Sequence, residues 1–298
     1  MASKEPQQAN GPLGTVFVHT ASPSRQIDDA ATALSVACPV GWDAAADVAD
    51  DAVLAALTRA AAAKPRRLVL RGGDLLQRRG ALAVLGQARQ LAPEVEVWTQ
   101  AGPLLRAEVC AAIRKAGATH VGIPIYGDNA EGHDFVAGMP GHFQRTLRAA
   151  QTARTAGLQV VLLAPLLRPT FRGLQGLVQK CVPAGISALR VLAPPGPDRE
   201  AHPLLVPLAM TAPHLRAAMA VAGKLPLWPV ELPSCVTGRL DGERAAAEWA
   251  SSHQPSADAQ AEYGPACDTC PARPGCPGQS AARAAAHSWV GLVPPAGA

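Results

Sequence analysis

The strongest constraint on how this chain folds is an alternation that runs from Thr15 to about Ala193. Short apolar runs recur there, at Thr15–Thr20, Arg67–Arg71, Val95–Thr99, Thr119–Tyr126, Leu158–Ala164 and Ser187–Ala193. Several are nearly continuous Val, Leu and Ile, the pattern of strands buried on both faces of a parallel sheet. Between them lie Ala- and Leu-rich stretches of helical period, at Asp43–Ala63, Leu75–Leu91, Leu104–Ala116, Gly141–Ala156 and, shorter, near Phe171–Val182. Alanine and leucine are strong helix formers. Gly117 and Gly157 each close a helical run just before a strand, where a C-terminal helix cap belongs. Repeated β–α units of this length wind right-handed and build a parallel sheet. Six such units fall short of the eight that close a barrel. The predicted class is α/β: a partial (β/α)6 TIM-like barrel with a Cys-rich C-terminal extension. After Ala193 the rhythm stops. Pro194–His214 reads as a Pro-rich loop, followed by a short helix over Leu215–Gly223 and a candidate strand at Leu227–Val230. Asp241–Ala250 is helical in composition and Ser251–Ala266 is polar.

Chemistry enters with the cysteines. Of seven, four crowd into the last quarter: Cys235, Cys267, Cys270 and Cys276. The last three form a C-x2-C-x5-C run rich in Pro and Gly, with Cys235 upstream. C-x2-C brings two sulfurs to one side of a tight turn, and the four thiolates are a complete ligand set for tetrahedral zinc or an iron–sulfur cluster. Two disulfides are the competing reading, and compartment decides against it. The first twelve residues, Met1 to Pro12, are polar and carry no apolar signal core. No apolar run reaches the ~18–20 residues of a membrane helix. The chain is therefore expected in the cytoplasm, where thiols stay reduced, and no membrane partner is expected. Unliganded remnants are the other alternative. Cys110 and Cys181 fall in helical runs and read as small buried hydrophobes, as does Cys38. Composition narrows the partners further. With Trp 5, Tyr 2 and Phe 4 there is no stacking platform for single strands. Net charge is +4 with scattered Arg, so no basic stripe points to nucleic acid.

Three patches at strand ends carry a resemblance. The second strand ends in Gly72-Gly73-Asp74, and the third in Trp98-Thr99-Gln100-Ala101-Gly102. The fourth leads into Ile125–Ala150, a small-residue loop that contains His133-Asp134. In order and spacing these resemble the radical S-adenosylmethionine superfamily, over roughly Thr15 to Ala193. The resemblance implies that Gly72, Gly73 and Asp74 form the turn that holds the amino group of S-adenosylmethionine. Glycines there let the backbone approach a ligand at the carboxyl end of the sheet. Aspartate stands where the family has glutamate, with the same charge and shorter reach. The competing reading is a plain strand-to-helix turn with a favourably placed carboxylate.

The departure lies after the first strand. Active members carry C-x3-C-x2-C there, whose thiolates hold a [4Fe–4S] cluster. In this chain the loop His19–Gly41 has one cysteine, Cys38, at its far end. One thiolate does not replace three. The sequence thus looks like a degenerate member that kept the barrel and lost the initiating cluster, so whether it is an enzyme stays open. The C-terminal run resembles the auxiliary-cluster (SPASM or twitch) segment of peptide-modifying members. This favours [4Fe–4S] over zinc at Cys235, Cys267, Cys270 and Cys276. The implied organisation is an N-terminal stretch 1–12, a barrel 13–232, a cysteine segment 233–280 and a tail 281–298.

Three functions follow as expectations. One is a binding or partner protein, serving peptide or natural-product modification. A second is an enzyme that uses S-adenosylmethionine or the bound metal without radicals. The third supplies an auxiliary cluster to an active radical enzyme. Near the mouth, His19, Asp28, Asp29, His133, Asp134 and His142 read first as hydrogen-bonded or capping residues. Arg168 and Arg172 read as a solvated loop, with anion binding as the alternative.

Overall fold

The computed structural model describes residues 15–19, 53–55, 57–58, 65–71, 74–193, 204–230, 232–238, 261–273, 276, 278–280, 284, 289 and 291–292. Gly72, Gly73, Asp28, Asp29 and Cys38 lie outside them. The expected helices over Asp43–Ala63 and Asp241–Ala250 lie mostly or wholly outside them too.

The core is one parallel sheet of seven strands in sequential order. They are β1 (Thr15–His19), β2 (Arg67–Arg71), β3 (Glu94–Trp98), β4 (His120–Pro124), β5 (Gln159–Pro165), β6 (Ala188–Leu192) and β7 (Leu227–Val230). Strict sequential order is the topology of a partial barrel, and β7 extends the six expected units by one. The crossovers include α1 (Ala81–Leu91), α2 (Ala101–Leu104) and α3 (Ala107–Ala116). Further along come α4 (Ala130–Ala137), α5 (His142–Thr155), α6 (Leu174–Cys181) and α7 (Leu208–Ala222).

Alternation along each strand builds two cores. Leu68, Leu70, Val95, Val97, Val121, Ile123, Val160 and Leu162 face the helices. Val69, Trp98, Val161, Leu163, Leu192 and Val230 line the concave side. Gly117 ends α3 at φ 121°, where its N–H reaches the Arg114 and Ile113 carbonyls, as a capping glycine does.

Three boundaries differ from expectation. The run over Leu75–Leu91 splits into a 3-10 turn at Leu75–Gln77 and α1, because the Asp74 carboxylate caps the first turn. The run over Leu104–Ala116 likewise splits into α2 and α3. Helix α7 starts at Leu208, inside the stretch read as a loop, and carries Pro213 within it. A proline that lacks its N–H reads as a helix stop. Here buried Leu208, Thr211, Ala212 and Leu215 pack the first turns against the sheet and override it. Among the described residues, no helix is long and apolar enough to cross a membrane.

Candidate functional site

At the carboxyl end of β2, Asp74 is saturated by donors. Oδ1 accepts from Leu76 N–H (3.1 Å) and Thr99 Oγ1 (2.7 Å). Oδ2 accepts from Gln100 N–H (3.3 Å) and Gln77 Nε2 (3.4 Å). A carboxylate offers about four lone-pair sites, and all are taken. Asp74 thereby clips the end of β2 to the end of β3. Its side chain is committed to the turn.

The loop after β4 is equally self-contained. His133 is fully buried. Its Nδ1 accepts from Tyr126 N–H at 3.0 Å, so the proton sits on Nε2, 2.8 Å from His142 Nδ1. Burial, reinforced by His142, pushes the His133 pKa down to about 4. Asp134 accepts from Gly141 N–H and Phe143 N–H, which fixes the start of α5. His133, Asp134 and His142 thus act as the hydrogen-bonded framework that their surroundings suggested. Arg172 lies over the Phe171 ring at 4.8 Å.

The concave face holds a charged network that the strand patterns concealed. Glu96 on β3 is fully buried and takes a two-pronged pair from Arg190 on β6, Nε at 3.0 Å and Nη2 at 2.8 Å. The Trp98 indole donates to Glu96 at 2.7 Å, and Arg67 stands 3.6 Å away. Burial pushes the Glu96 carboxyl up, but the Arg190 charge and hydrogen bonds, with Arg67 and Trp98, outweigh it and bring the pKa to about 2. Arg190 and Arg67 both lie over the Trp228 ring, at 4.5 and 5.0 Å. Gly122 makes room for Trp98: a Cβ there would lie 2.4 Å from the indole Cδ1. The signal for this network is a charge inside an otherwise apolar strand, at Arg67, Glu96 and Arg190.

The cysteines divide as their positions suggest. Cys110 and Cys181 are buried. Burial raises the Cys110 thiol and takes the Cys181 thiol up to about 12. Cys235 lies on α8 (Ser234–Thr237), which follows β7 and packs on α7. Arg216 Nη2 of α7 donates to its carbonyl at 2.8 Å. Cys267 closes the 3-10 turn Pro265–Cys267, and its carbonyl accepts from Cys270 N–H at 3.2 Å. The Cys276 carbonyl accepts from Tyr263 Oη at 2.9 Å. A small antiparallel pair, β8 (Ala261–Glu262) with β9 (Gln279–Ser280), brackets this segment.

All four cysteines line one cavity of about 450 Å³, together with Pro233, Gly264, Pro265, Trp289 and Leu292. Burial raises the Cys235 thiol to about 11, and the other three thiols add to the rise, so all four lie within electrostatic reach. Among the described residues, no group of three or more His, Cys, Asp or Glu is spaced to hold a single ion.

No family model matches the chain. It is similar to an AdoMet-dependent heme synthase of Methanosarcina barkeri, 36% identical over 89 residues, which is 30% of this chain and 25% of that protein. A second, from Oleidesulfovibrio alaskensis, is 26% identical over 131 residues, 43% and 34% of the two chains. The match therefore spans about a quarter to a third of these relatives' length. Among solved structures, Streptococcus suis SuiB bound to S-adenosylmethionine superposes with a TM-score of 0.54 at 13% identity, covering 73% of this chain and 50% of that one. SuiB bound to its precursor peptide SuiA gives 0.52 at 14% identity, covering 73% and 48%. Native anSMEcpe with AdoMet and a peptide gives 0.50 at 12% identity, covering 72% and 63%. With its sequential parallel half-barrel, the chain shares the fold of these S-adenosylmethionine-bound proteins, and part of it is similar in sequence to AdoMet-dependent heme synthases.

Proposed function

We propose that this chain is a binding or partner protein on the radical S-adenosylmethionine barrel, with an iron–sulfur cluster at Cys235, Cys267, Cys270 and Cys276. The observation that carries the reading is the meeting of four thiols from separate segments around one cavity. Four thiolates suit [4Fe–4S] as well as zinc. The resemblance of the C-x2-C-x5-C run to auxiliary-cluster segments supports the cluster over zinc. Such a cluster supplies a one-electron couple. The chain's own residues orient its ligands: Arg216 fixes the Cys235 backbone and Tyr263 fixes that of Cys276.

The loop after β1 carries Cys38 alone and lacks the three thiolates of an initiating cluster. This supports a role without radical initiation. In this reading the Gly72-Gly73-Asp74 turn meets S-adenosylmethionine through backbone atoms, and Asp74 is a positioning residue. SuiB and anSMEcpe are seen with peptides, which supports a peptide, or the active radical enzyme that modifies it, as the partner.

Anaerobic reconstitution tests the cluster. We expect about four irons per chain and a thiolate-to-iron absorption band, both lost in Cys267→Ala/Cys270→Ala. Full iron in that variant would overturn the assignment. Reductant plus S-adenosylmethionine should give no 5′-deoxyadenosine, and a clear yield would overturn the non-radical role.

A further inference from the structure

Trp289 stands beyond the last cysteine, yet it lines the cysteine cavity together with Leu292. Its ring lies directly on the backbone of Gly264. A Cβ at Gly264 would come 2.5 Å from indole Cγ and 2.7 Å from Cδ2, so only glycine permits this approach. Gly264 immediately precedes the 3-10 turn that carries Cys267. The indole therefore presses on the root of the C-x2-C turn.

The segment is anchored on its other side. Leu292 N–H donates to the Trp289 carbonyl at 3.2 Å, which closes a turn. Leu292 packs against the helix-side core. A Cβ at Gly291 would lie 3.2 Å from Ala209 Cβ on α7, so this turn is wedged against the barrel. Among the described residues, no charged side chain lines the cavity. The nearby Arg273 is engaged elsewhere, over the Tyr263 ring at 3.7 Å and 3.7 Å from Asp268.

We propose that Trp289, seated on Gly264 and held by Gly291 and Leu292, is the wall that keeps water and small oxidants from the group bound by the four cysteines. This rests on the cysteine-site reading above. The physical consequence is definite. Reducing a thiolate-bound cluster adds negative charge, and a mostly apolar lining such as the described one disfavours that charge. Opening the wall to water stabilises the reduced state, so the potential rises with solvent exposure. Trp289 is a positioning residue here, since it shapes the surroundings of the ligands and supplies no donor atom.

Two measurements on the full chain separate this inference from the reading beneath it. The first needs no iron. In metal-free protein, mass spectrometry follows the alkylation of Cys235, Cys267, Cys270 and Cys276 by iodoacetamide. Trp289→Ala should speed their modification several-fold, Gly264→Ala should match it by displacing the indole, and Trp289→Phe should stay near wild type. Cys110 serves as the internal control for folding. Unchanged rates in both Trp289→Ala and Gly264→Ala would overturn the wall. The second uses reconstituted protein: Trp289→Ala should show a more positive cluster potential and faster bleaching in air. Equal potential and equal bleaching with full iron would again overturn it. Failure of the wild type to take up iron would instead overturn the cluster assignment and leave the alkylation result to decide the wall.

Discussion

Glu96 and Arg190 stand 94 residues apart in sequence and form the most buried charge pair described. Breaking such a pair strands a charge in the core and costs roughly 3–5 kcal/mol, whereas apolar replacement of both partners is often close to neutral. Arg190→Leu should therefore lower the urea midpoint sharply, and Glu96→Leu/Arg190→Leu should recover much of the loss. The pair also sets an acid limit. Its folded carboxyl titrates near about 2 against 4.5 when unfolded, so its contribution is complete above pH 4.5 and is lost as pH falls toward 2. His133 acts in an earlier window. The unfolded imidazole takes its proton near pH 6.5 and the buried one only near about 4. Stability should be intact above pH 6.5 and fall by about 3 kcal/mol on the way to pH 4. His133→Asn keeps an acceptor for the Tyr126 N–H and removes the titration. Stability measured against pH should then fall less steeply from 6.5 to 4.5 in that variant than in wild type, the remaining slope coming from His142 and His120, whose pKa values burial also lowers.

At the scale of elements, what was legible in the sequence is what local chemistry decides. Strands β2 to β6 fall where apolar runs of strand length occur, because both faces of each strand are buried. Gly117 and Gly157 were legible as caps, and both adopt positive φ. Pro213 misled because tertiary packing outweighs one missing hydrogen bond when the helix face is buried. The concave charges were visible as residues and invisible as partners, since pairing across β3 and β6 is a property of the sheet. Gly122 is similar: in THVGIPIY nothing reveals that its missing side chain houses the Trp98 ring. Gly122→Ala should force β3 and β4 to repack, at a cost of about 1–3 kcal/mol. The thermal midpoint should drop and the near-ultraviolet circular dichroism of Trp98 should change. An unchanged midpoint would mean that the indole has room to move.

For the whole molecule, the half-barrel and the cysteine site are joined through α7. This helix packs on α6, holds the Cys235 backbone through Arg216 and backs the Trp289 turn through Ala209. The C-x2-C-x5-C run was legible because its ligand chemistry is local. Cys235 was legible as a candidate fourth thiolate, but the cavity it shares with that run and the part played by Trp289 were not, because chain closure brings these segments together. Loading the site should therefore stabilise the barrel, with a thermal midpoint higher in reconstituted protein than in metal-free protein. The most direct measurement is iron and sulfide content, with the electron paramagnetic resonance of the reduced state, on anaerobically reconstituted wild type and Cys267→Ala/Cys270→Ala. The account predicts about four irons and a reduced-cluster signal in wild type, with both abolished in the variant. An iron-free wild type, or a variant that keeps the full complement and the same signal, would contradict it.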